Sequence, residues 1–414
     1  MKFIKPFIIL LFLSSLVFAQ KQGGSVYSRL GIGELDRAYS ARRLGLGELG
    51  FAVYDRDFLG TLNPAGWTRL NLTRFEIAVN FQDLNTKDNS LSRYSTLTRF
   101  SGFTFGVPLE RDWGLSMVAG ITPYSNVNYN VMQNVSGVQN PYSVSYEGNG
   151  SVTRTFIGAS YSLPYDVSLG ASFDYYIGNL NYFSRITFQD PNFTNPEYQT
   201  SYKSTGIGGT FGVISSDFAK LLNLGSVTNL RLGAAYSFRG QFEADSGQAL
   251  TTSLGLGNLN SQKSTLKIPM SLGLGLNFTV NNAYSVLLDY FYQPWSKYEF
   301  NGRTSQNLRN DQKVSAGLEY RNPDMRARGF WETLILRGAL SYEKTQYQVN
   351  GKGVDQYSVY GGVSMPLEYE NTLDFGLQYS MRGSAENNLL KENIFRLNVT
   401  LSLGELWFLR PQGR

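Results

Sequence analysis

Enzyme chemistry near neutral pH leans on imidazoles, thiols and paired carboxylates, and this chain of 414 residues has no His and no Cys. Without an imidazole there is no general base for a Ser–His hydrolase and no His-containing zinc site. Without thiols there is no disulfide framework. A carboxylate-only enzyme stays formally open, but no paired-carboxylate motif stands out. The chain is therefore expected not to be an enzyme and to carry no cofactor and no metal. Nucleic acid is not an expected partner: the formal charge is +5, or about +3 without Lys2 and Lys5, and no basic cluster is interleaved with aromatics. The residues that stand out are apolar or alter the backbone. They are an Asn63-Pro64-Ala65 turn after a Gly-rich stretch, Gly120 and Pro123 interrupting a strand, and Leu287, Phe291 and Trp295 along one face of another.

The elements that must position them are strands. Ile268, Met270, Leu272, Leu274, Leu276 and Phe278 share one face, while Lys267, Ser271, Gly273, Gly275 and Asn277 share the other, with Pro269 near the strand start. A pleated strand segregates residues in this way and a helix does not. The pattern recurs at 167–178, 230–239, 373–382 and 395–403, where Leu397, Val399 and Leu401 oppose Arg396, Asn398 and Thr400. A soluble sandwich also alternates, but these strands are long, and their polar face is rich in Gly, Ser and Asn. Aromatics gather toward strand ends, as at Tyr290, Tyr292, Tyr298, Phe300, Tyr342 and Tyr379. With 27 Tyr, 27 Phe, 43 Gly and a mean hydropathy of −0.23, the chain is predicted to be all-β: a transmembrane antiparallel β-barrel of about fourteen strands with an N-terminal plug inside the lumen. The strand centres fall near 77, 102, 120, 157, 175, 207, 236, 271, 291, 315, 340, 360, 378 and 397. Short turns at 163–166 and 280–283 alternate with longer polar loops expected around 132–150, 189–199, 244–262 and 301–309. Charges at lumen positions, Arg231, Arg337, Asp374, Arg382 and Arg396, either pair with plug groups or are solvated wall. A charge added at Thr400 is expected to cost little, and one at Val399 much.

Four segments are expected. Residues 1–19 read as a signal peptide, with Lys2 and Lys5 ahead of the apolar run from Phe7 to Phe18 and with Val17 and Ala19 as the small residues before cleavage. No Cys follows Ala19, so no lipid anchor is expected there, and the mature chain should begin near Gln20. Residues 20–71 alternate poorly but are too apolar, at Phe58, Leu59, Leu62, Pro64 and Trp67, for a disordered tail, and read as the plug. Residues 72–408 form the barrel and 409–414 a tail beyond Trp407 and Phe408. Pro123 lacks an N–H, so a closed ladder must bulge or part there, unless the residue lies above the membrane where water satisfies its neighbours. Leu287, Phe291 and Trp295 either line a lumen pocket or pack against the plug.

Three places resemble one known family, the long-chain fatty-acid transporter (FadL-like) barrels. Asn63-Pro64-Ala65-Gly66, preceded by Ala52-Val53-Tyr54-Asp55, is similar to the family's plug motif. The interrupted third strand resembles its kinked strand. Gln293-Pro294-Trp295-Ser296-Lys297-Tyr298, following Lys267-Ile268-Pro269, is similar to its Trp-Ser-x-aromatic strand. The resemblance implies an outer-membrane transporter whose partner is a hydrophobic small molecule or lipid. Such a ligand is captured at the outer loops, enters a pocket touching Leu287, Phe291 and Trp295, and leaves sideways at the Gly120–Pro123 kink as the plug moves. The outer loops are less hydrophobic than such capture requires. Some relatives of the fold serve protein secretion, so the alternative is a barrel that binds protein partners in secretion or envelope assembly. A plugged structural porin is a third reading. In each case the barrel-assembly machinery is an expected partner for insertion.

Overall fold

The computed structural model describes residues 23–88, 92–252, 255–323, 329–367, 371–385 and 389–406. The expected signal peptide and C-terminal tail lie outside the described residues.

Fourteen antiparallel strands close on themselves. In chain order they are β1 (Thr73–Lys87), β2 (Ser92–Glu110), β3 (Leu115–Val135), β4 (Tyr142–Leu163), β5 (Val167–Phe188) and β6 (Glu197–Ile214). Then come β7 (Val227–Arg239 continued by Gln241–Thr252), β8 (Gly255–Lys267 continued by Ser271–Val280), β9 (Tyr284–Gln293 and Glu299–Phe300) and β10 (Arg303–Thr304 and Asp311–Tyr320). The last four are β11 (Ile335–Val349), β12 (Lys352–Pro366), β13 (Thr372–Arg382) and β14 (Lys391–Glu405). Closure is made by β14 on β1, in register from Lys391↔Lys87 to Glu405↔Thr73. Each expected centre falls on one of these strands. The short turns form as their residues dictate: Asn281 and Asn282 take φ of 51° and 53°, the left-handed conformation that a tight hairpin needs and Asn tolerates.

The outward face carries exposed Phe173, Ile177, Phe211, Leu340 and Val359, while Arg396, Asn398 and Thr400 are buried inside. Two expectations change. The segments read as outer loops at 132–150 and 244–262 are largely paired strand, out to Val135↔Tyr142 and Thr252↔Gly255. A hairpin in water can be polar on both faces, so it loses the alternation that marks a strand in lipid. Second, Ile268 is not on the lipid face and Tyr298 and Phe300 are not in an interfacial girdle. Ile268, Tyr298, Phe242, Leu266 and Trp295 are buried together around Ile32, with Phe300 partly buried against them. The cause is a change of phase along β7 to β9. In β7 Arg231, Gly233 and Ala235 are buried below Gly240, but Phe242, Ala244 and Ser246 are buried above it. The ladder is similarly interrupted at 268–270 and 294–298, where Pro269 and Pro294 cannot donate. A slip of one residue sends every later side chain to the other face.

Candidate functional site

Residues 23–71 occupy the lumen. Asn63 caps the 3₁₀ turn Pro64–Arg69, its Oδ1 accepting from Ala65 N at 3.1 Å. Pro64 is suited to the first helical position, where no N–H is needed. The Asn63 Nδ2 donates to Phe51 O at 2.5 Å and to Val213 O of β6 at 3.3 Å. The wall behind is glycine. A Cβ at Gly170 would lie 2.3 Å from the Pro64 carbonyl carbon, and one at Gly212 would lie 1.9 Å from Asn63 Oδ1. The Asn63-Pro64-Ala65 turn therefore rests directly on the backbone of β5 and β6. Trp67 holds its far end, stacked on Phe156 of β4 at 6.2 Å and donating to Gly60 O at 2.6 Å.

Higher in the lumen the contacts are ionic. Glu34 accepts from Arg382 at 2.5 Å and Arg396 at 2.7 Å. Glu48 pairs with Lys313 and, at 3.2 Å, with Arg396. Arg37 pairs with Asp311 and, at 3.0 Å, with Glu343. Toward the opposite end of the lumen Arg42 meets Asp55 at 2.6 Å, Asp57 at 3.0 Å and Glu319 at 3.4 Å. Burial alone would raise the carboxyls of Glu34 and Glu48. The facing guanidinium and ammonium groups outweigh it and hold both at about 2. Of the five charges assigned to the lumen, Arg382 and Arg396 pair with the plug, and Arg231 lies 3.9 Å from the ring of plug residue Tyr54. Arg337 binds wall residue Glu319 at 2.7 Å, and Asp374 binds Ser364 and Thr372 of the wall.

Gly120 and Pro123 stand at a break in the wall. The β2–β3 ladder runs from Glu110↔Leu115 to Phe103↔Ile121 and ends there, although β2 continues to Ser92 and β3 to Val135. Gly120 is still in regular register, opposite Thr104 and Phe156. The irregularity is one step on, where the β3–β4 register shifts between Pro123 and Ser125. On the β2 side the register shifts next to Gly102, whose φ is +124°. Beyond the break the chain's own N-terminal segment lies along β3. Glu34 and Leu35 pair with Asn126 and Ser125, Asp36 N donates to Tyr124 O at 3.0 Å, and Ser28 Oγ bonds both N and O of Asn128 at 3.1 Å. Gly33 permits this approach, since a Cβ there would lie 2.3 Å from Asn126 O.

Two cavities meet at Thr122 and Pro123. One, of about 430 Å³, lies in the seam between Leu97 and Arg99 of β2 and Asn126 and Asn128 of β3. The other, of about 80 Å³, lies in the lumen among Leu62, Tyr124, Tyr176, Arg239 and Phe291. Leu287, Phe291 and Trp295 are all buried, but they do not form one surface. Phe291 stacks on plug residue Phe51 at 6.4 Å and also lines the small cavity. Trp295 packs with Ile32 and Tyr298, away from it. Sequence reasoning missed Glu34, Arg37, Glu48 and Lys313. It also missed the glycines under the plug turn, for which a signal exists: Gly170 and Gly212 hold inward positions on adjacent strands, the mark of a backbone approaching a wall.

A family model named BamG matches residues 2–412. No curated protein matches the sequence. Among solved structures, the toluene transporter TodX of P. putida is similar at a TM-score of 0.60 and 16% identity, covering 90% of this chain and 100% of that one. The toluene transporter TbuX of Ralstonia pickettii gives 0.58 at 16%, covering 89% and 99%. A FadL homologue of Pseudomonas aeruginosa gives 0.57 at 12%, covering 89% and 98%. At these identities the likeness to FadL-type barrels is one of fold.

Proposed function

We propose, from the premise that this chain belongs to the BamG family, that it is a non-catalytic outer-membrane barrel that binds protein partners in envelope assembly and does not serve as an open conduit. The family's name associates it with barrel assembly. The observation that carries the reading is the filled lumen, where the segment 23–71 is fastened by buried ion pairs and the cavity among Leu62, Tyr124 and Phe291 holds about 80 Å³. A barrel so filled has its surfaces to offer, not its bore. In this reading residues 20–71 are a plug and the leader at 1–19 directs export. Tagged chain, extracted gently, should carry the barrel-inserting machinery in fixed ratio, and depleting it should lower the levels of other outer-membrane barrels. Recovery of the chain alone, with those levels unchanged, would refute the reading.

One observation favours a second reading, transport of a hydrophobic molecule by sideways exit at the third strand. Thr122 and Pro123 wall both the lumen cavity and the seam, and the similar folds include barrels named as toluene transporters. Here Asn63-Pro64-Ala65 moves as ligand passes and Phe291 touches it. Pro123→Val restores a donor to β3 and should reduce toluene uptake in proteoliposomes. Undiminished uptake would exclude the route.

A further inference from the structure

The outward face of β3 to β8 changes character along the strands. Ile157, Phe173, Ile177, Ile207 and Phe211 are exposed and apolar, as a belt against lipid requires. Toward the end away from the short turns, the paired row Asn126–Ser151–Asn179–Lys203–Asp245–Lys263 is polar throughout, and so is Asn128–Asn149–Asn181–Ser201 beyond it. Outward charges are costly against hydrocarbon, so here the wall stands outside the membrane. Short turns mark the periplasmic end of such barrels, which puts the projection on the outer side. Its inner face is the reverse. The pairing of β5 with β4 and with β6 runs without a slip, so the parity that buries Val152, Phe156 and Tyr176 also turns Tyr146 and Tyr198 inward. One inner row reads Val131–Tyr146–Ser184–Tyr198–Leu250. Beyond it Val144 pairs with Ile186 and Tyr142 with Phe188, whose ring lies 5.2 Å from that of Phe193. The lower part of this face is covered by the chain's own N-terminal segment: Ile32 is buried with Val152 and Tyr176, and Leu30 packs on the same cluster. The upper part stays in water, with Tyr146, Phe193 and Tyr198 43%, 41% and 38% exposed. Contiguous exposed apolar surface rimmed by polar residues marks an interaction site, and tyrosine, with its apolar ring and its hydroxyl, is enriched in protein interfaces. A small apolar ligand needs most of its surface enclosed, which an open face spread over several strands does not provide. Polypeptide is what the same face already carries lower down.

We propose that the inner face of the projecting wall, centred on Tyr146 and Tyr198, docks a protein partner on the outer side of the membrane, through an apolar segment laid across β4 to β6. This deepens the assembly reading and rests on it, since it names the surface that the partner uses.

The test uses the full chain in cells, with a benzophenone amino acid in place of Tyr146 or Tyr198 on the inner face, or of Lys203 on the outer. On illumination, the protein that co-purifies in fixed ratio should be joined to the first two positions, and about tenfold less to the third. Tyr146→Ser with Tyr198→Ser should lower recovery of that protein about tenfold. Both side chains are exposed, so the double variant should keep the heat-modifiability of the unsubstituted barrel, and Lys203→Ser should change neither property. If the double variant misfolds, the cross-links decide alone. Equal cross-linking at Lys203, or full recovery with a folded double variant, would overturn the proposal and leave the assembly reading standing, with partners docked elsewhere. Cross-links only to a second copy of this chain, or to no protein, would overturn it too. Absence of any co-purifying protein would remove the assembly reading and this proposal with it.

Discussion

Replacing Glu48 by Gln keeps size and shape but removes the negative charge that holds the middle of the plug. Glu48 pairs with Lys313 and, at 3.2 Å, with Arg396, whose side chains are 0% and 6% exposed. After the substitution Arg396 retains Glu34 at 2.7 Å, and Lys313 retains Glu343 at 3.6 Å as its acidic neighbour and the Tyr360 hydroxyl at 3.2 Å. Removing one partner of a buried pair typically costs roughly 3–5 kcal/mol, because the other charge stays buried. At about 1.4 kcal/mol per tenfold, the low end raises the population of undocked plug about 150-fold. Glu48 makes no strand-ladder bond, so the loss falls on docking and not on the barrel, whose strands bond to one another. Gln also keeps the φ of 70° at this position no more strained than Glu does. Amide exchange across 41–52 should accelerate by that order while β12 to β14 stay protected, and planar bilayers should show new openings. The double variant Glu48→Met with Lys313→Met should recover much of the loss, since the stranded ammonium is gone. Unaltered exchange in Glu48→Gln would mean that the ion pairs do not hold the plug, and the argument from the filled lumen would fail.

Other outcomes follow from the same contacts. The Glu34 and Glu48 carboxyls are held at about 2, below the ordinary 4.5. Their contribution is therefore complete above about pH 5 and lost as pH falls toward 2, so conductance should stay low from pH 7 to about 5 and rise below about 4. Val399→Arg puts a charge toward lipid at a cost of roughly 2–4 kcal/mol and should impair barrel assembly in a heat-modifiability gel. Thr400→Arg is not the mild change its inward position implied. Thr400 is 1% exposed and accepts from Ala41 N at 2.8 Å, so Arg there should leave the barrel intact but release the plug. Gly170→Val, with its Cβ 2.3 Å from the Pro64 carbonyl carbon, should unseat the Asn63-Pro64-Ala65 turn and loosen the backbone at the exposed Arg56 and Arg69 so that trypsin cleaves there faster.

Period-two alternation was enough to place fourteen strands and to assign their faces, because in a barrel each residue's side is decided by its parity and by the solvent it meets. Leu397, Val399 and Leu401 against Arg396, Asn398 and Thr400 need no tertiary information. The Gly-rich, apolar stretch ahead of β1 was legible as a lumen segment for a related reason: Phe58, Leu59 and Trp67 must be buried somewhere. Parity fails wherever the backbone slips by one residue. Whether Pro123, Gly240 or Pro269 produces such a slip depends on the neighbouring strands that absorb or refuse the bulge, so the interior position of Ile268 and Tyr298 was not readable in advance. Nor was the choice of partners in the lumen. Glu48 and Lys313 are 265 residues apart, and nothing local links them. The strand register sets Lys313 and Arg396 at the height where Glu48 arrives, and low polarity around them then makes pairing obligatory. At the seam the interruption of β3 at Pro123 was legible in sequence, but which neighbour parts from it was decided by the tertiary structure, where the ladder to β2 ends at Phe103↔Ile121, the ladder to β4 continues after a shift, and the chain's own N-terminal segment takes the facing edge of β3.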